Sequence, residues 1–179
     1  MAELGEMHNH LEGAPPPHHF KVSSSDVLRK LSQYKNPELI NLFFRRSKGD
    51  LSLGEIENLF EDMKKLMFLV YLTENERHLL REVVVTKEIE LIDDIWHQFI
   101  LMTRDYHLFC YQTFGQYIHH TPESATESEA EVYDYSLNKK VIEQIKVIDR
   151  IWGDSIIIRW YHYLPKLNRN GFWHRLFRR

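Results

Sequence analysis

Between Ile92 and Pro122 the chain reads IDDIWHQFILMTRDYHLFCYQTFGQYIHHTP and gathers Asp93, Asp94, Asp105, His97, His107, Cys110, His119 and His120. Imidazole gains and loses a proton near neutral pH, and imidazole, carboxylate and thiolate groups ligate transition metals. On a helix, Asp93 and His97, four apart, share a face, and Asp94 and His97, three apart, are also neighbours. Such a pair supports two chemistries. The carboxylate can orient the ring and favour its charged form, or both groups can ligate one ion, as carboxylate and His pairs do inside helical bundles. His107 and Cys110 repeat the three-residue spacing, and imidazole with thiolate suits zinc, iron or copper. His119 and His120 are adjacent and point in different directions, so at most one of them faces a shared site.

The elements that must position these groups are helices. Thr86 can cap a helix through Ile89, Ile92, Trp96, Phe99 and Ile100, which follow the helical period. Met102-Thr103 breaks it, and Thr103 can cap a second carrying Tyr106, Phe109, Cys110, Thr113 and Phe114, with an end near Gly115 or Tyr117. A link that short makes an αα-hairpin and brings His97 and His107 towards each other. His119 and His120 lie beyond the second helix, about 15–20 Å along from His107 at 1.5 Å per residue. They reach His97 only if the chain folds back. Against a site, Trp96 and Cys110 lie on apolar stripes and read as core, His107 reads as surface, and His97 as a hydrogen-bonded structural residue.

The rest of the chain is helical in pattern. Asp26 can cap a short helix with Val27, Leu28 and Leu31; Asn36-Pro37 is a cap followed by proline at the first helical position. Ser52 and Glu55 have capping-box spacing and open a longer helix through Ile56, Leu59, Phe60, Met63, Leu66, Met67 and Val70. Val83-Val84-Val85 favours extended chain. Ser136 or Asn138 opens a helix through Ile148 and Ile151, stopped by Gly153; Ile156 to Leu164 fits either type of element, and Pro165 stops it. The expectation is an all-α fold: a single compact domain of five to seven helices over residues 26–179, with an exposed acidic loop at 121–135, behind a disordered His/Pro-rich tail at 1–25 that holds His8, His10, His18 and His19.

Composition narrows the function. The 179 residues carry 23 basic and 26 acidic side chains, a net charge of -3, so the chain is no globally basic nucleic-acid binder. One Cys excludes an internal disulfide and a Cys-based zinc finger. There is no GxSxG elbow, no Walker-type loop and no dinucleotide glycine fingerprint. The start of the chain lacks the apolar run of a secretory signal, and the longest apolar stretch, Leu66 to Leu72, is too short for a transmembrane segment; the expected setting is cytoplasmic. From Ser155 onward basic residues alternate with aromatics and no acidic residue occurs.

The central segment resembles that of the glycine-rich-domain-containing-protein-like family, whose bacterial members read V-D-x-x-W-H-x-x-I-L-x-T-x-x-Y, then a Cys, then F-G-x-F-x-H-H-x-P. Asp93, Trp96, His97, Ile100, Leu101, Thr103, Tyr106, Cys110, Phe114, Gly115, His119, His120 and Pro122 fill those places, over about a third of the chain. The chain has no Gly-rich tail, and Phe99 stands where many bacterial relatives carry a second His. The resemblance implies an all-helical core and singles out Asp93, His97, Cys110, His119 and His120 together, leaving His107 aside.

Three functions follow as expectations. The first is a metal-binding, catalytic helical domain: His97 as ligand or general base oriented by Asp93, with Cys110 and His119 or His120 completing a zinc, iron or copper site. The second is a non-enzymatic module for a protein or peptide partner, in which these residues are structural and the partner meets Trp160, Tyr161, Tyr163, Phe172 and Trp173. The third is nucleic-acid binding through residues 155–179, by phosphate contact and stacking on Trp160, Trp173 and Phe177.

Overall fold

Helix α3 (Leu53–Asn75) is the axis on which the other elements are laid. Its capping box is made as the spacing requires: Ser52 Oγ accepts from Glu55 N at 3.2 Å, and Glu55 Oε2 accepts from Ser52 N at 2.7 Å. Ile56, Leu59, Phe60, Met63, Leu66, Met67, Phe68, Leu69, Tyr71 and Leu72 are all buried along it. Apolar side chains on nearly every face are the mark of a helix surrounded by others. Helix α1 (Ser24–Gln33), α2 (Pro37–Ser47) and α4 (Glu90–Leu101) pack on it, and α4 turns directly into α5 (Thr103–Phe114). Helix α6 (Ala130–Trp152) leads through Gly153 to α7 (Asp154–Ile158), a π-helical turn (Arg159–Tyr163) and α8 (Leu164–Leu167), which follow one another as one rod. The computed structural model describes residues 22–120 and 130–167, and among these the architecture is all-α with no strand.

Several helix ends differ from the sequence expectation. Ser23, not Asp26, caps α1, accepting from Asp26 N at 3.2 Å; a Ser at the N-cap leaves Asp26 in the first turn, where it pairs with Arg29. Val22 already packs on the core, so ordered chain begins before residue 26, while residues 1–21 lie outside the described residues. Thr86 stands at the N-cap of a single 3-10 turn (Lys87–Ile89) but makes no side-chain cap bond, while Thr103 is the first residue of α5, whose N-cap is Met102, shared with the C-cap of α4. A one-residue joint leaves no room for a separate capping side chain. Helix α6 begins at Ala130, inside the expected acidic loop; residues 121–129 lie outside the described residues. Pro165 sits within α8 rather than ending the rod. The widened π turn stands just before it, with Leu164 N bonding to Arg159 O.

Two buried polar side chains replace ordinary secondary-structure bonds. Lys64, on α3, sends its ammonium to Leu31 O at 2.6 Å and Tyr34 O at 3.0 Å, closing the end of α1, with Glu61 at 2.9 Å as counter-charge. Burial holds this amine below the usual lysine range. Gln144, on α6, spans Val84: its Oε1 accepts from Val84 N at 2.8 Å and its Nε2 donates to Val84 O at 3.1 Å. The Val83–Val85 stretch lies outside helix and strand, and the backbone of Val84 pairs with a side chain.

Candidate imidazole–carboxylate centre

Asp93 and His97 lie one turn apart on α4, as their spacing dictates, and His97 Nδ1 stands 3.2 Å from Asp93 Oδ2. The third member arrives from beyond α5. Gly115 ends that helix at φ +72°, in the left-handed region where glycine pays no steric cost, and the chain reverses. Ile118 then drops into the core, and two residues later His120 Nε2 meets Asp93 Oδ1 at 2.7 Å. One carboxylate therefore holds two imidazoles, one on each oxygen. The rings are neighbours, tilted by 55° with centroids 4.4 Å apart, and the ligand atoms of Asp93, His97 and His120 lie within 4.8 Å of one another.

Exposure is graded across the cluster. The side chain of His120 is 11% exposed, that of Asp93 17% and that of His97 47%, so the cluster opens to solvent on the His97 side. Trp96 walls the inner side, meeting His120 edge-on at 4.7 Å. These three residues can hold a metal ion. Zinc with bonds of about 2.0–2.2 Å sets its ligands roughly 3–3.5 Å apart, close to the spacings Asp93 already makes with both rings.

The other expected site residues go elsewhere. Cys110 is fully buried on the α5 stripe, beside Tyr106 and the backbone of Ile118, and forms no part of the cluster. Burial pushes its thiol up to about 11, so it stays protonated at neutral pH and is a poor ligand. His119 is exposed and turns the opposite way from His120, packing on Tyr117 at 4.9 Å and lying near Glu74. His107 is exposed against Tyr111 at 4.6 Å, not against His97. Trp160, expected on a partner or nucleic-acid surface, is fully buried, and Tyr161 bonds Gln144 at 3.2 Å; Tyr163 is exposed, and Phe172, Trp173 and Phe177 lie outside the described residues.

A second polar centre escaped the sequence reading. Asp62, 1% exposed on α3, accepts from Arg159 Nε at 2.6 Å and Trp160 Nε1 at 3.0 Å, with Lys65 at 3.8 Å. Burial raises this carboxyl, against the opposing pull of the Arg159 guanidinium. Consecutive residues reach one carboxylate because they sit in the π turn, which narrows the angle between neighbouring side chains. Nothing in the sequence singles it out, since Glu61, Lys64 and Lys65 stand beside Asp62 on the same helix.

The fold and cluster define an all-helical domain with a solvent-open Asp/His/His centre. Residues 27–141 match the model of the UCP032817-like family, and the chain belongs to that family. The matched stretch holds Asp93, His97, His120 and Asp62, and stops short of Arg159 and Trp160. No curated protein and no solved structure matches the chain.

Proposed function

We propose that this protein is a helical metal-binding domain whose ligands are Asp93, His97 and His120. The observation that supports it is the convergence of two imidazoles from separate elements on one half-buried carboxylate. Two His and one carboxylate form a ligand set suited to zinc or ferrous iron; without a thiolate, the case for copper weakens. Three protein ligands leave coordination positions open on the exposed His97 side, where a bound ion would polarise water or a small substrate. The resemblance to the glycine-rich-domain-containing-protein-like family singles out these three together with Cys110 and His119, so the proposal keeps only part of that set. The reading sets the domain in the cytoplasm, where the lone thiol stays reduced. Among the described residues no helix is long and apolar enough to cross a membrane.

The test is metal analysis of the full chain purified without chelator and again after loading with zinc or ferrous iron. His97→Ala and Asp93→Asn each lose one equivalent relative to wild type. A variant with His8, His10, His18 and His19 all changed to Ser keeps that equivalent, which separates the cluster from the leader. Equal metal in wild type, His97→Ala and Asp93→Asn defeats the proposal. It leaves the second reading, a partner-binding module in which Asp93 clasps the rings to hold the loop on α4, favoured by the 2.7 Å separation of His120 Nε2 and Asp93 Oδ1, an ordinary hydrogen-bond distance.

A further inference from the structure

Trp96 and Tyr106 belong to the same segment as the cluster, yet neither is one of its ligands. Both act on the stretch that delivers His120. Trp96 Nε1 donates to Tyr106 Oη at 3.0 Å, and the Tyr106 hydroxyl donates to Ile118 O at 2.6 Å. All three residues are essentially buried, so these bonds are shielded from competing water. The hydroxyl thus joins α4, through Trp96, to α5 and to the backbone two residues before His120. Trp96 completes the arrangement with its ring against His120.

Other contacts on the stretch act farther from the cluster. Gln116 bonds Glu74 and Asn75 of α3, and Tyr117 packs on Tyr106 at 5.3 Å. Each of these holds the chain before Ile118. The Ile118 carbonyl, two residues before His120, is held by the Tyr106 hydroxyl, and the Ile118 backbone also bonds the Cys110 thiol.

We infer that Tyr106 is the positioning residue of the centre: its hydroxyl, braced by Trp96, fixes the Ile118 carbonyl and so sets His120 Nε2 on Asp93. This rests on the metal-site reading for its effect on affinity, but not for its effect on His120. Groups that hold a ligand in place typically change metal affinity by about 10–100-fold when removed.

The test replaces Tyr106 with Phe, which keeps the ring and deletes only the hydroxyl. Two quantities are read on the full chain: zinc affinity by chelator competition, and the rate at which diethyl pyrocarbonate modifies His120 in metal-free protein, followed by peptide mass spectrometry. The expected result is at least a tenfold loss of zinc affinity and severalfold faster modification of His120, with wild-type helical circular dichroism and a cooperative melt. Tyr117→Phe, which leaves the anchor intact, changes neither reading. Should Tyr106→Phe misfold, Trp96→Phe removes the bracing N–H while keeping a ring beside His120, and the same two readings apply. Wild-type affinity together with wild-type modification rate in Tyr106→Phe overturns the inference. If wild type takes up no zinc, the metal reading fails by itself, and the His120 rate still decides the positioning role.

Discussion

Asp62 and Asp93 each gather nitrogen groups from distant parts of the chain, and the partners of the two carboxylates differ in kind. Asp62 faces Arg159 and Trp160, donors that keep their protons at any ordinary pH, and it is sealed from water. Asp93 faces two imidazoles, which can donate, accept or ligate, and the outer ring is open to solvent. The first arrangement can only lock α3 to the π turn. The second has partners of a changeable kind, since a ring nitrogen can exchange its proton with water and present a lone pair instead. What distinguishes the two is the identity of the nitrogen and its access to water, since the carboxylate is common to both.

The comparison can be broken by mutation. Asp62→Ala leaves the guanidinium of Arg159, 20% exposed, and the Trp160 N–H without their acceptor, and is expected to cost about 3 kcal/mol in denaturant unfolding. Metal content should be untouched. A loss well under 1 kcal/mol would mean that the π turn is held by packing alone.

A middle-sized effect concerns Cys110, which sits behind the open cluster and behaves like the sealed one. In the unfolded chain its proton leaves near the ordinary value of 9.0, in the folded protein near 11. Between these values the folded state binds more protons, so stability falls as pH rises, by about 2–3 kcal/mol in total from this group. Below pH 9 its contribution is constant. Tyr106 is raised as well and adds to the same decline. The loss between pH 9 and 11, followed by urea unfolding, should be shallower in Cys110→Ala; identical slopes in the two proteins would refute the assignment. At pH 8 the native thiol should resist iodoacetamide until the protein is unfolded.

The smallest effect is the most discriminating. In chelator, Asp93→Asn is expected to lower stability by less than about 1 kcal/mol, because one partner is exposed and the amide oxygen still accepts from a ring. A loss as large as that of Asp62→Ala would show that the two carboxylates do the same job.

The sequence carried the parts of this picture that depend on neighbours along the chain. The αα-hairpin, the Asp93–His97 pair, the capping box at Ser52 and the burial of Trp96 all follow from spacing. What it did not carry depends on where the chain returns. That His120 rather than His119 meets Asp93 is decided by the reversal at Gly115 and the burial of Ile118, which set the phase of the last residues. Cys110 shares the segment, but its place on the α5 stripe carries it into the core. Asp62 finds its partners across nearly a hundred residues, and no local pattern announces a contact that distant.

Val84 shows how the fold handles irregular chain where, among the described residues, no strand is present to pair with it. A stretch of three valines offers alternating peptide groups that another polypeptide could recruit as a template for intermolecular pairing. The side-chain amide of Gln144 occupies both hydrogen-bonding positions of Val84 from within the same molecule. Substituting that glutamine with leucine would therefore do more than weaken one helix contact: it would uncover a sticky ribbon, and the first symptom would be self-association in concentrated solution.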